Sequence, residues 1–177
     1  MSGLRKTFGF FLLVLLLAFG LLLAYALPQH VVVYVSGDQV QRMDRNVAAT
    51  DAAQAVGATR DVKVINAYDP LTKETYVFRN EDTRFGFPWY LKFDSAEVQA
   101  QSQRLSHVPD QYVLIRYYGW RIAMFDAFPN AVKVEPWPNA EEPFPVFNTI
   151  FFVLLGLIVL VLWWKWRKFQ QRRAAKV

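Results

Sequence analysis

Two uninterrupted apolar runs stand near the ends of the chain, and between them hydrophobic and polar positions alternate with the short period of strands. The first run, Phe8 to Leu27, holds 20 residues without a charge. As a helix it would reach about 30 Å at about 1.5 Å per residue, the thickness of a bilayer's hydrocarbon core. The second run, Val146 to Trp164, holds 19 residues, with Asn148 and Thr149 its only polar members, near its start. Neither run keeps a polar face, so both are expected to be transmembrane helices rather than core helices of a soluble domain. The first run also ends in Ala24-Tyr25-Ala26, an A-x-A tripeptide of the kind a leader peptidase cuts, and follows the basic pair Arg5 and Lys6. A signal's apolar region is usually about 7–15 residues, shorter than this run. Pro28 then ends the helix where a membrane boundary would fall, so an uncleaved anchor is expected.

The middle reads mostly as strand. Val31 to Val35 is β-branched and aromatic, Ser36-Gly37-Asp38 is expected to turn, and Gln39 to Met43 to form a second short strand. Asn46 to Thr59 is rich in alanine and fits either a short helix or a loop. Arg60 to Ala67 alternates, with Val62, Val64 and Ile65 as inward candidates; Asp69-Pro70 turns and Thr75 to Phe78 returns, completing a hairpin. Pro88 to Phe93 is a candidate extension of the sheet. Asp94-Ser95-Ala96-Glu97 matches a capping box, with Asp94 at the N-cap and Glu97 at N3, which predicts a helix to about Leu105 with a glutamine-rich exposed face. Gln111 to Tyr118 predicts a strand, Ile122 to Phe128 a helical turn and Ala131 to Glu135 a closing strand. Pro136, Pro138, Pro143 and Pro145 stiffen the connector that follows.

The expected fold class is therefore an α+β membrane protein. Two transmembrane helices flank an exported, mostly antiparallel β domain with one helix, compatible with a small, partly open five-stranded Greek-key barrel. An irregular α+β sheet is the alternative. The expected organisation is an N-terminus over 1–7, spans over 8–27 and 146–164, the β-rich domain and its connector over 28–145, and a basic tail over 165–177.

Charge orients this arrangement. Arg5 and Lys6 precede the first run, and Lys165, Arg167, Lys168, Arg172, Arg173 and Lys176 follow the second. Basic flanks stay cytoplasmic, which predicts both termini inside a bacterial inner membrane and the central domain in the periplasm. The segment from Pro28 to Phe144 carries 12 Lys and Arg against all 15 Asp and Glu, a net −3, so the chain's +5 belongs to its ends. That distribution argues against nucleic acid as a partner. Trp163, Trp164, Lys165, Trp166, Arg167 and Lys168 form the aromatic and basic belt expected at a lipid interface. The exported segment has no cysteine, so it must hold by its core alone.

Catalytic chemistry is thin. The two histidines, His30 and His107, do not stand together at helical ligand spacing, and no thiolate or glycine-rich phosphate loop exists. Ser106 beside His107 is chance adjacency, because a nucleophile and its base are recognised by spatial roles. Neither enzyme activity, cofactor nor metal is expected. Aromatic side chains concentrate instead in Arg84-Phe85-Gly86-Phe87-Pro88-Trp89-Tyr90 and Arg116-Tyr117-Tyr118-Gly119-Trp120-Arg121. Phe85, Phe87, Trp89, Tyr90, Tyr118, Trp120 and Arg121 are the candidate partner-binding residues, with core packing or membrane contact as the plainer reading.

At Leu27-Pro28-Gln29-His30, Arg79-Asn80-Glu81-Asp82-Thr83, the aromatic run through Lys92-Phe93-Asp94, Tyr118-Gly119-Trp120-Arg121 and Phe128-Pro129-Asn130-Ala131-Val132, the chain resembles the domain-of-unknown-function 1523 family of small two-span bacterial inner-membrane proteins. The resemblance covers most of the chain and departs in the alanine-rich segment. It implies an inner membrane and an envelope role, and brings no activity or substrate. Two function classes stand: a non-catalytic accessory or scaffold subunit, whose partners are membrane lipids and another membrane or periplasmic protein, and an envelope ligand-binding or sensory module.

Overall fold

The computed structural model describes residues 2–44 and 59–174. The expectation for the alanine-rich segment falls outside them, apart from Thr59. Two compact units are present, Met1–Pro143 and Phe144–Val177.

In the first unit, helix α1 (Ser2–Ala26) runs straight into strand β1 (Gln29–Asp44). Leu27 N still donates to Leu23 O at 2.8 Å, and Pro28, with no N–H to offer, ends the helical ladder. β1 is one strand and not two. Where a turn was expected, the pairing passes from Val35↔Ala67 to Gly37↔Asn66, so Ser36 is the extra residue of a bulge. A bulge bends the strand without ending it, and β1 continues to Asp44.

The hairpin of β2 (Thr59–Tyr68) and β3 (Thr75–Arg79) forms as its alternation requires. Asp69 Oδ1 shapes the turn by accepting the N–H groups of Leu71 and Thr72 at 2.6 and 3.0 Å. β4 (Val113–Tyr118) pairs antiparallel with the first part of β1 and with β5 (Asn130–Pro136). A single parallel pair, Arg79↔Asn130, backed by Arg79 N donating to Pro129 O at 2.8 Å, joins β3 to β5. The order β1-β2-β3-β5-β4 thus closes on itself. The expected barrel is therefore closed, and its one parallel seam makes the sheet mixed. With helix α2 (Ser95–Ser106) between β3 and β4, this is the strand arrangement of an OB-fold.

Alternate residues of the strands fill the barrel: Val31, Val33 and Val35 from β1, Ile65 and Ala67 from β2, and Phe78, Val113 and Ile115 opposite them. Of the inward candidates in β2, Ile65 joins this cluster, while Val62 and Val64 occupy the alternate positions and are buried there. Val98 and Leu105 of α2 and Ala131 and Val134 of β5 complete the cluster.

Three further local expectations fail. Asp94 flanks α2 but makes no side-chain capping bond; Asp82 Oδ1 accepts the Ser95 N–H at 2.9 Å instead. The helix's glutamine face is also not wholly exposed, since Gln99 is buried. Pro88 to Phe93 is loop rather than strand, because the segment bonds to itself: Arg84 N donates to Lys92 O at 3.0 Å, and Lys92 N to Thr83 Oγ1 at 3.1 Å. A backbone satisfied within its own loop has no row of donors for a neighbouring strand.

The second unit is built on helix α3 (Val146–Ala174), most of whose apolar side chains are exposed. Among the described residues, Val146–Arg172 is the one stretch long and apolar enough to cross a membrane by length and composition. The corresponding stretch of α1, Leu13–Ala26, is shorter.

Candidate functional site

The structure divides the aromatic residues singled out in the sequence into two groups, one of which lies where α1 meets the barrel. One group forms the joint. Gly119 N donates to Tyr25 O at 3.0 Å, and Tyr90 Oη donates to Ala26 O at 2.8 Å, so two carbonyls of the last helical turn find partners on the domain. The Tyr25 ring meets Tyr118 and Trp120 edge-on, with centroids 6.1 and 5.7 Å away. Tyr90 stacks on Tyr118 at 4.8 Å. Gly119 adopts φ +90°, a backbone turn that favours glycine, while a Cβ there would meet Tyr25 Cε2 at 3.5 Å, an ordinary contact. Burial pushes the Tyr90 hydroxyl pKa well above its ordinary value, with the neighbouring Tyr118 adding to it. Tyr118 is also raised by burial, against the bond it accepts from Asn130 Nδ2 at 2.9 Å.

The other group is exposed. Phe85 is 79% exposed, Phe87 49%, Trp89 75% and Leu91 54%. These values belong to a loop of seven uncharged residues, Phe85 to Leu91, in which Phe87 meets Trp89 at 5.5 Å and Phe85 meets Phe93, just beyond the loop, at the same spacing. The β4–β5 loop adds Ile122, Met124 and Phe125 around a short 3₁₀ turn, Ala123–Phe125, pinned by the Ile122↔Ala127 bridge. Arg121 at its root pairs with Asp126 at 3.2 Å and lies over the Phe128 ring at 3.8 Å. Tyr90, Tyr118 and Trp120 are therefore joint residues, while Phe85, Phe87, Trp89 and Arg121 face outward.

What holds the exposed loop in place was not foreseen from the sequence. Lys92, 3% exposed, donates from Nζ to Asn80 Oδ1 and to Ala131 O. Asn80 Nδ2 in turn donates to Ser95 O and Gln99 Oε1, both at 2.7 Å. Asn130 Nδ2 donates to Glu81 O at 3.0 Å as well as to Tyr118, and Asn130 Oδ1 accepts Glu81 N at 2.9 Å. Burial brings the Lys92 ammonium down to about 8, against the opposing pull of Asp94, Asp82 and Glu81. Every member of this network is hydrogen-bonded, which is the condition for a polar cluster to rigidify a fold. The available signal was a lone lysine between Leu91 and Phe93, one asparagine in the polar run Arg79 to Thr83 and another between Pro129 and Ala131, which spacing alone does not connect.

Elsewhere, α3 places Arg167 over the Trp163 ring at 4.5 Å and Lys168 over Trp164 at 3.7 Å, two cation–π pairs at i,i+4 spacing. Lys165 and Trp166 lie on the same helix. The Ser106 hydroxyl and His107 Nδ1 both turn to Gln103 O, at 2.8 and 2.6 Å. Among the described residues no three metal-binding side chains come together.

The model of one protein family matches residues 4–170, from α1 through the barrel into α3, under the description "Protein of unknown function (DUF1523)". The chain belongs to that family. A relative from Haemophilus influenzae, described as an "Uncharacterized protein", is 39% identical over 156 residues, 85% of this chain and 88% of its own length. No solved structure matches. The family match spans both apolar helices as well as the barrel, so the joint between α1 and the domain lies inside it.

Proposed function

We propose that this family member is a non-catalytic inner-membrane protein of the bacterial envelope, an accessory or scaffold subunit of a larger membrane complex. α1 and α3 both span the bilayer, both termini are cytoplasmic, and the barrel stands in the periplasm. The charge partition supports the orientation, because eight basic residues flank the apolar runs and the barrel segment is net acidic. The observation that carries the reading is the joint: a domain bonded to its anchor through Tyr25 and Ala26 has a set orientation, which a docking subunit needs and a freely tethered one lacks. The joint also supports an uncleaved Ala24-Tyr25-Ala26, since cutting after Ala26 would remove one side of it.

Purification of the full chain in mild detergent tests the function. A stoichiometric protein partner is expected; a lone protein carrying a bound small molecule overturns the accessory reading in favour of a ligand-binding or sensory module. Two further measurements test the topology. Intact mass should give the whole chain apart from loss of Met1, and a mature N-terminus at Leu27 overturns the anchor. A cysteine at Lys73 should be labelled from the periplasm and one at Lys176 should not.

A further inference from the structure

We infer that the two exposed apolar loops, Phe85 to Leu91 and Ile122 to Phe125, form a collar that dips into the periplasmic leaflet around the exit of α1. The inference rests on reading α1 as a span. It begins from the joint, because both loops are fixed to the last helical turn by bonds of their own roots. Tyr90, between Trp89 and Leu91, donates to Ala26 O, and Gly119, three residues before Ile122, donates to Tyr25 O. The loop roots thus lie at the depth where the helix leaves the hydrocarbon.

Side-chain chemistry fits that depth. The loop from Phe85 to Leu91 carries no charge, and Arg84 and Lys92 bound it; Ile122 to Phe125 carries none, with Arg121 and Asp126 at its ends. Phenylalanine, tryptophan and methionine with arginine at the root match a bilayer interface, where apolar rings enter and guanidinium groups stay at the phosphates. Trp89 at 75% and Met124 at 82% exposure would otherwise stand in water. The leucines of α1 from Leu13 to Leu22 are exposed as well. One lipid surface covers both. An apolar face of this type sits about 5–10 Å into the headgroup and acyl boundary. The opposite end of the barrel is out of reach: Tyr34, where β1 meets the β2–β3 hairpin, is five residues beyond Gln29, about 17 Å at about 3.4 Å per residue.

The chain has no cysteine, so single probes can be placed without background. Full-length Phe87→Cys, Met124→Cys, Lys73→Cys and Leu17→Cys variants, each carrying an environment-sensitive fluorophore, are reconstituted in vesicles of phosphatidylethanolamine and phosphatidylglycerol. Nitroxide-labelled lipids then report depth. Probes at Phe87 and Met124 should be quenched more by a nitroxide high on the acyl chain than by one near its end. The Leu17 probe, about 14 Å down the helix from Ala26 at about 1.5 Å per residue, should show the reverse, and the Lys73 probe neither. Quenching at Leu17 without quenching at Phe87 and Met124 overturns the collar and leaves the anchor standing. Absence of quenching at Leu17 overturns the anchor reading and the collar with it. Loops unquenched in pure lipid but shielded from an impermeant thiol reagent in native membranes overturn the collar in favour of a protein partner.

Discussion

The ring of Tyr90 lies flat against that of Tyr118, with planes 11° apart, while its hydroxyl reaches past the stack to the carbonyl of Ala26. One side chain thus joins the aromatic loop, the end of β4 and the last turn of α1. Tyr90→Phe keeps the stack and removes only the bond. The full chain in detergent should lose about 0.5–1.5 kcal/mol in thermal or chemical unfolding, the net worth of one such hydrogen bond. An unchanged transition would mean that the joint is held by rings alone.

Gly119→Ala strikes the same joint from the barrel side. A φ of +90° disfavours any Cβ, and the cost lies in that backbone turn, since the added atom would meet Tyr25 only at an ordinary contact distance. Destabilisation of more than about 1 kcal/mol is expected, beyond the usual gain from reducing unfolded-chain freedom. A variant as stable as the parent would show that this turn can relax.

The start of α2 gives a prediction opposite to the one its sequence suggests. Asp82→Ala should cost about 1 kcal/mol, because Asp82 Oδ1 takes the Ser95 N–H, and Asp94→Ala should cost distinctly less. Comparing the two melting temperatures decides between them; equal losses would restore a shared cap.

Within α2, the Ser102 hydroxyl is fully buried and has no hydrogen-bond partner among the described residues. Ser102→Ala removes that unsatisfied group with little change of shape, so stability should hold or rise. A clear fall in the melting temperature would reveal a partner for the hydroxyl.

Alkaline pH should move stability in two directions. Lys92 titrates at about 8 when folded and at 10.5 when unfolded, so between those values the unfolded chain holds a proton that the folded chain has shed. Stability therefore rises with pH across that window, and below about 8 this contribution is flat at its lower level. Tyr90, Tyr117 and Tyr118 are raised above their ordinary 10.0 by burial, so past that pH the unfolded chain loses protons first and stability falls. Melting temperature should peak near pH 10, and Lys92→Met should flatten the rise. An unaltered rise in that variant would assign it to other groups.

The contrast at α2 shows where sequence reading stops. Strands were legible wherever alternation reported a local fact: Val31 to Val35, the Asp69 hairpin and Ala131 to Glu135 each depend on neighbours along the chain. Ser36-Gly37-Asp38 looked like a turn because turn residues and bulge residues are the same residues; only the opposite strand decides between them. Asp94 looked like a cap because a capping box is local, while Asp82 reaches Ser95 across 13 positions that spacing does not connect. The aromatic runs were visible, but their division was not. Tyr25, adjacent to the barrel only after folding, takes Tyr118 and Trp120 into the joint and leaves Phe85, Phe87 and Trp89 outside.

Only Leu27 and Pro28 separate Ala26 from Gln29, and the bonds from Gly119 and Tyr90 close the angle between helix and strand. Such a connection has no slack. α1 and the barrel behave as the two arms of one lever. With those bonds kept, a rotation of the helix about its long axis would turn the whole domain through the same angle, and a tilt of a few degrees at Leu13 would swing the β2–β3 hairpin at the far end through a correspondingly larger arc.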